Sequence, residues 1–429
     1  MEGNILNKFF KYTSFNILSM IGMSAYILAD TLFIANRLGV NGLASLNIAI
    51  PIFSLIMGTG LMIGMGGATA FSFSNNKKEK NKFFSQSIYI AAILSIIFVI
   101  VGLFFSKPLA SLLGSNIEIL DMTNTYLKTL LIFAPAFIFE NLFLCFIRND
   151  NSPRLAMIAM LIASFCNIIL DYIFMYPIPM GIFGAALATC LAPIIALCIM
   201  TSHFINKKNT FKFIKIKQSF SRINKIFLLG SSFLINEISS GIVILAFNLV
   251  ILNISGNIGV AAYGIIANLA VILVSIYNGL AQGIQPITSE EYGNNNYVNL
   301  KKIFKYTLLL AYGIAIVSYL FIFFFNEPLI QLFNSDPQLV KIATKGLLTY
   351  FIAFFFIALN IPMVSYLNSL DKPKHAFIIS IARGLVITLP VLLLLSSLFK
   401  MNGVWTSIIV AEFLTALITI YFIKKDIAF

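Results

Sequence analysis

Apolar runs of about 20 residues recur along the whole chain, and short clusters of Lys, Asn, Gly and Pro separate them. An α-helix of that length crosses the hydrocarbon core of a bilayer and satisfies all of its own backbone hydrogen bonds there. The sequence therefore predicts an all-α polytopic membrane protein with about twelve transmembrane helices.

The composition also favours a membrane protein over a soluble one. Hydrophobic residues make up 59% of the 429 residues and charged residues only 10%. Soluble domains average roughly 45–50% apolar and 25% charged residues. The four cysteines lie in apolar runs without metal-ligand spacing, so the sequence indicates neither a disulfide framework nor a cysteine metal site.

The net charge of +13 follows membrane topology, and no nucleic-acid partner is predicted. The two termini and alternate loops hold 22 of the 29 Lys and Arg residues. Those loops are residues 77–82, 148–154, 207–225, 301–305 and 372–374. Because loops rich in Lys and Arg stay in the cytoplasm, both termini and these loops are predicted to be cytoplasmic.

The second half of the chain repeats the first at an offset of 217 to 222 residues. NSPRLA at Asn151 matches DKPKHA at Asp371, and GLASLNIA at Gly42 matches GVAAYGII at Gly259. Each half holds an even number of spans, so both halves point the same way, and two six-helix bundles related by a pseudo-twofold along the membrane normal are predicted. The predicted domains are an N-terminal lobe at 1–205, a basic cytoplasmic linker at 206–225 and a C-terminal lobe at 226–429.

The stretch FCNIILDYIF, residues 165–174, places Asp171 deep inside an apolar helix. An Asp at the centre of a span costs roughly 2.5 to 3.5 kcal/mol, so such a residue is usually paired, cavity-facing and functional. Asn167 stands four residues earlier and therefore shares one helix face with Asp171. Together they can present oxygens to one small cation or to a proton network.

Other charged and polar residues lie within or near the apolar runs. Asp30, near the end of the first run, is with Asp171 the strongest candidate for function. Glu290 and Glu291 lie where a span meets a basic loop, which favours an interfacial role. The remaining candidates, for a cavity or a second site, are Glu140, Glu237, Gln282, Arg383 and Glu412. Of these, Arg383 and Glu412 are predicted to pair with each other.

No catalytic constellation is present in the sequence. The two histidines, His203 and His375, lie at loop edges, and G-x-S-x-G, H-E-x-x-H and P-loop motifs are absent. The chain is therefore predicted not to be an enzyme and to need no cofactor. Because the sequence has no nucleotide-binding motif, the energy for any transport would come from an ion gradient.

Four motifs together resemble the multidrug and toxic compound extrusion (MATE) family over essentially the whole chain. They are ADTLFIANRLG with Asp30, RNDNSPRLAMIAM running into NIILDYIFM, MGIFGAALAT, and AQGIQPITSEEYG. The resemblance implies twelve helices in two bundles and efflux of organic, often cationic, compounds in exchange for H⁺ or Na⁺. It also implies an ion site in the N-terminal lobe, made of Asp30, Asn167, Asp171 and Thr189.

The predicted function is secondary antiport. Two carboxylates facing one another in a low-dielectric lobe cannot both stay charged, so a proton or Na⁺ must neutralise them. Asn167 and Thr189 would add neutral oxygens, which suit a hard cation. We expect a monomer in the plasma or inner membrane whose partners are small organic substrates and the lipid bilayer.

Two alternative functions fit the sequence less well. The wider superfamily contains flippases for lipid-linked oligosaccharide precursors, but a pyrophosphate lipid needs several basic residues in the cavity, and Arg383 is the sole intramembrane arginine predicted. An intramembrane aspartyl protease using Asp30 and Asp171 would need a G-x-G-D type signature, which the chain lacks, and would leave the duplication unexplained.

Overall fold

The computed structural model describes residues 2–74, 76–331 and 336–426, and every regular element in these residues is a helix. Span 4 is a pair of helices, Leu120–Ile132 and Ala134–Asn149, bent by 46° and preceded by the short helix Ser106–Leu112. The other spans up to the tenth are Ile5–Gly39 (span 1), Asn41–Ser72 (2), Lys77–Phe104 (3), Pro153–Met175 (5), Gly181–Ile205 (6), Phe220–Gly256 (7), Ile258–Gly293 (8), Tyr297–Gln331 (9) and Pro337–Ser369 (10).

The last helix, Pro373–Asp426, accounts for two spans. Its 54 residues would measure about 81 Å at 1.5 Å per residue, more than twice the hydrocarbon thickness of a bilayer. Lys400 breaks it with φ 51° and ψ −132°, leaving residues 373–399 as span 11 and 401–426 as span 12. Twelve spans therefore lie within the described residues, and the prediction of an all-α polytopic membrane protein is confirmed.

Backbone breaks recur at matching positions in the two halves. Gly39 (φ 63°, ψ −152°) separates spans 1 and 2, and Gly256 (φ 61°, ψ −156°) separates spans 7 and 8 at an offset of 217 residues. Glycine tolerates this positive φ because it has no Cβ. Asn151 (φ 60°) and Asp371 (φ 57°) form a second pair, within the NSPRLA and DKPKHA repeats. The backbone thus carries the same duplication as the sequence.

The side chains of span 3 are arranged for a lipid solvent. Ser85, Gln86 and Ser87 are buried, whereas Ile96 and Ile100 are about half exposed. Span 3 thus buries polar side chains together with apolar ones and exposes isoleucines, and large exposed apolar faces mark membrane-facing surface.

Residues Leu18–Ile238 form one compact unit. Spans 2 and 4 approach closely in it because Gly60 and Gly64 leave room for the backbone of span 4. Span 7 crosses span 2 at a similar contact, where Gly230 lies against the backbone of Met62. Small residues therefore set the helix crossings on which the unit depends.

Substitution of Gly230 by Ala is expected to destabilise this unit by about 3 kcal/mol, the upper end for overpacking. A Cβ at residue 230 would lie 1.9 Å from the carbonyl oxygen of Met62, so the two backbones must separate. Thermal unfolding is measurable with a thiol-reactive dye that reports exposure of the buried Cys145 and Cys190. The matched control is Gly313→Ala, where a Cβ meets no atom of the described residues within 4 Å. Equal melting temperatures for the two variants would contradict the close crossing.

Residues Met1–Ile17 and Ser239–Phe429 form the other compact unit. Its core includes Trp405, which stacks on Tyr263 at 6.4 Å between ring centroids and packs against Gly346. Lys8 pairs with Glu290 at 2.6 Å, so Glu290 is held at the end of span 8 by a partner on span 1. Both units are defined by packing, and the division into predicted lobes 1–205 and 226–429 with linker 206–225 stays a prediction.

Candidate ion-binding site

Four polar side chains from three spans meet inside the unit Leu18–Ile238. Span 1 supplies Asp30, span 5 supplies Asn167 and Asp171, and span 6 supplies Thr189. Asn167 and Asp171 are fully buried, and the exposed fractions of Asp30 and Thr189 are 7% and 5%. The residues proposed from the sequence thus lie in the apolar interior, where a charge is costly.

The helical spacing of Asn167 and Asp171 produces a direct contact. In the amide orientation that satisfies both of its ends, Asn167 donates from Nδ2 to Asp171 Oδ2 at 3.1 Å and accepts from the backbone N–H of Thr189 at 3.3 Å. The Thr189 hydroxyl donates to the carbonyl of Ala185 at 3.0 Å, which leaves its lone pairs available. Asn167 therefore joins spans 5 and 6 and fixes one oxygen of Asp171.

The carboxyl groups of Asp30 and Asp171 lie close enough for their charges to interact. Each has one oxygen, Oδ1, that is buried and has no hydrogen-bond partner among the residues that the structure describes. A buried unpaired acceptor carries a desolvation cost, and two like charges at low dielectric repel. A proton or a cation bound between them would remove both costs.

The donor set suits a proton or a hard monovalent cation. Two carboxylates, an amide carbonyl and a hydroxyl supply only oxygen atoms, which are the ligands of hard cations. Within residues 2–74, 76–331 and 336–426, no group of three or more His, Cys, Asp or Glu side chains is placed to hold a metal ion. A cation at this site would therefore depend on Asn167 and Thr189 as well as on the carboxylates.

Two tyrosines that sequence reasoning missed border the site. Tyr26 and Tyr126 both interact electrostatically with Asp30 and Asp171, and Tyr126 also lies beside the Thr189 side chain. Tyr26 precedes Asp30 by four residues, so helical spacing alone predicts that they share a face. Tyr126 comes from span 4, and no local pattern marks it.

The other acidic candidates of this unit occupy different places. Glu140 on span 4 lies within electrostatic range of Tyr26 and so borders the site. Glu237 on span 7 lies beside Gly58 of span 2, where a Cβ on the glycine would approach the Cβ of Glu237 to 3.1 Å. The prediction of a cavity or second-site role for these residues stays a prediction.

The unit formed by residues 1–17 and 239–429 contains a buried polar network. Arg383 Nε donates to Glu412 Oε1 at 2.7 Å, and Asn360 Nδ2 donates to Glu412 Oε2 at 2.8 Å. Thr419 donates to Asn360 Oδ1 at 2.9 Å, and Arg383 lies in a π-helical turn, Ala382–Val386. Glu412 is thus neutralised by a fixed partner, unlike Asp30 and Asp171. Gln282 is buried on span 8 of this unit.

Comparison with known proteins gives consistent matches. The MatE family model matches residues 16–173 and 233–394. The multidrug export protein MepA of Staphylococcus saprophyticus is 29% identical over 380 residues, covering 87% of this chain and 84% of that protein. MepA of Staphylococcus haemolyticus is 29% identical over 386 residues, covering 89% and 85%.

Solved structures share the fold. An outward-facing multidrug resistance MATE family transporter of the MOP superfamily has a TM-score of 0.91 at 21% identity, covering 97% of this chain and 95% of that one. A MOP superfamily transporter from Pyrococcus furiosus, described as having a binding pocket of reversed polarity, has a TM-score of 0.88 at 23% identity, with the same coverage. Because the family model matches well over half of the residues, this chain belongs to the MatE family, whose members are membrane transporters rather than enzymes.

Proposed function

We propose that this protein is a multidrug efflux antiporter of the plasma membrane, which exports organic cations and amphiphiles in exchange for H⁺ or Na⁺. The observation that carries the proposal is the pair Asp30 and Asp171, two buried like-charged groups, each with an oxygen that no described protein group satisfies. The names of the MepA relatives support multidrug export as the physiological activity. Both termini are proposed to be cytoplasmic and the protein to act as a monomer.

The chemistry of the pair gives a coupling mechanism. With no ion bound, repulsion between Asp30 and Asp171 favours separation of span 1 from span 5. Binding of a proton or Na⁺ removes that repulsion and lets the two spans pack together. An ion gradient can do work only through such a difference in affinity between two conformations. Asn167 holds Asp171 in place throughout, so the movement falls on span 1.

The charges of the interior favour cationic substrates. Carboxylates outnumber basic groups among the buried candidates, and charge complementarity disfavours anions. A flippase would need basic side chains to bind a pyrophosphate. Arg383 instead forms an ion pair with Glu412, with 2.7 Å between Nε and Oε1. That ion pair is the observation that ranks the flippase second.

The direct test is dye efflux in everted membrane vesicles under an imposed pH gradient or an imposed Na⁺ gradient. We expect one of the two gradients to drive transport of an ethidium-like cation and the matching ionophore to stop it. Vesicles without the protein are the control. Transport that persists without either gradient, or that accepts only anionic dyes, would contradict the proposal.

A further inference from the structure

A cavity of about 860 Å³ lies in the unit Leu18–Ile238, where the start of span 3, the end of span 6 and the segment after span 6 meet. Its apolar lining includes Phe84, Leu197 and Met200. Its basic lining consists of Lys77, Lys207 and Lys212, all of them exposed. The cavity therefore combines an apolar interior with a positively charged rim.

One wall of the cavity is the non-helical segment 206–219, which is fixed against span 3. The backbone N–H of Lys212 donates to Asn81 Oδ1 and that of Ile214 donates to Ser85 Oγ, each at 2.9 Å. The fully buried ring of Phe211 lies 4.4 Å from that of Phe84, centroid to centroid. This wall is thus held in place by specific contacts with span 3.

A buried carboxylate anchors the same segment from the other side. Asp150 accepts a hydrogen bond from the backbone N–H of Thr210 at 2.9 Å and contacts His203 Nε2 at 2.8 Å. The side chain of Asp150 is only 2% exposed, so its carboxylate interacts with these partners and not with the rim of the cavity. Glu79, near the start of span 3, pairs with Lys82 at 2.6 Å.

The positive charge at the rim is consequently not neutralised by these two carboxylates, Glu79 and Asp150. Within the described ranges, Lys77, Lys207 and Lys212 form no ion pair with a carboxylate. Three ammonium groups around an apolar cavity repel an organic cation, which separates this cavity from the proposed substrate path. They complement a ligand with an anionic head and an apolar tail.

We propose that this cavity binds an anionic phospholipid of the cytoplasmic leaflet, with its phosphate among the three lysines and an acyl chain against Phe84, Leu197 and Met200. The lysines belong to the loops whose basic content predicts a cytoplasmic position, and basic pockets between spans on that side suit anionic headgroups. The bound lipid would contact span 3, span 6 and the non-helical segment 206–219 at the same time.

The test is native mass spectrometry of the delipidated full-length protein with phosphatidylglycerol, and with phosphatidylcholine of the same acyl chains. Lys77→Gln/Lys207→Gln/Lys212→Gln should weaken phosphatidylglycerol binding by on the order of 100-fold, since each lysine near an anionic headgroup contributes roughly fivefold. The control, Lys78→Gln/Lys215→Gln/Lys217→Gln, removes the same charge from exposed lysines outside the cavity and should bind as the wild type does. Elution profile and melting temperature confirm that both variants are folded.

A second variant tests the apolar part of the site. Leu197→Trp fills the cavity without changing charge and should also lower phosphatidylglycerol binding, whereas soluble glycerophosphoglycerol should compete poorly with the lipid. Equal losses in the two triple variants would mean diffuse charge attraction and would overturn the proposal. So would unchanged binding to Leu197→Trp, or full competition by the headgroup alone, which would indicate a site for free anions. None of these readouts depends on drug efflux.

Discussion

Asp171→Asn is expected to abolish ion-driven efflux while the protein inserts and folds normally. The substitution keeps the shape of the side chain and its contact with Asn167, but it removes the ability to ionise. A permanently neutral residue 171 mimics the ion-loaded state, so the ion can no longer distinguish two conformations and the gradient does no work. Stability should hold or rise, because the cost of a buried anion is gone. Asp30→Asn should behave in the same way.

The measurement is gradient-driven dye efflux in vesicles, with expression and melting temperature determined on the same preparations. Glu290→Gln is the matched control, since Glu290 is partly exposed and paired with Lys8, and its efflux should remain near wild type. The Asp30→Asn/Asp171→Asn double variant should be little worse than either single variant, as for residues that act as one unit. A well-expressed Asp171→Asn protein with wild-type efflux would remove Asp171 from the mechanism.

Glu412→Gln is expected to lower the free energy of unfolding by about 3–5 kcal/mol, the usual effect of removing one partner of a buried ion pair. The glutamine can still accept the hydrogen bond from Asn360, but it leaves the Arg383 charge without its counter-ion. Replacing both partners should cost much less, because Arg383→Met/Glu412→Gln buries no unpaired charge. Glu412 would then be a structural carboxylate, in contrast to Asp30 and Asp171, which we propose to be the coupling carboxylates.

Trp405, the single tryptophan of the chain, makes this second prediction measurable. It is buried in the same unit as the ion pair, so its fluorescence reports unfolding of that unit. The expected order of stability is wild type, then the double variant, then Glu412→Gln. A single variant as stable as the wild type would show that the pair contributes little.

The sequence was sufficient to predict the helical architecture, because the bilayer imposes length and hydropathy on every span. It did not predict how the segment after span 6 is held. The sequence of that stretch is basic and polar. In the structure, however, Phe211 is fully buried among aromatic rings, and Thr210 is hydrogen-bonded to Asp150, which lies 60 residues away in the chain. Such contacts depend on tertiary packing, which local composition does not encode.

The residues of the candidate site also fall into those that the sequence predicts and those that only tertiary packing reveals. Asn167 and Asp171 followed from helical spacing and from the cost of a carboxylate in an apolar run. Thr189 came from the family resemblance, because a threonine in a small-residue helix has no distinguishing local pattern. Tyr126 was missed because its position depends on how span 4, bent by 46°, packs against span 6. Asn360 was missed for a related reason, since its partner Glu412 is 52 residues away.

The most direct measurement of ion coupling at Asp30 and Asp171 is the affinity of the purified protein for a cationic dye, determined at equilibrium over a range of pH and of Na⁺ concentration. If ion and substrate bind in exchange, linkage requires the apparent dissociation constant of the dye to rise with the coupling ion, with a logarithmic slope of about one per exchanged ion. The Asp30→Asn/Asp171→Asn variant should bind the dye with no such dependence. A wild-type affinity that is flat in both pH and Na⁺, or a slope that survives in the double variant, would contradict coupling at this pair.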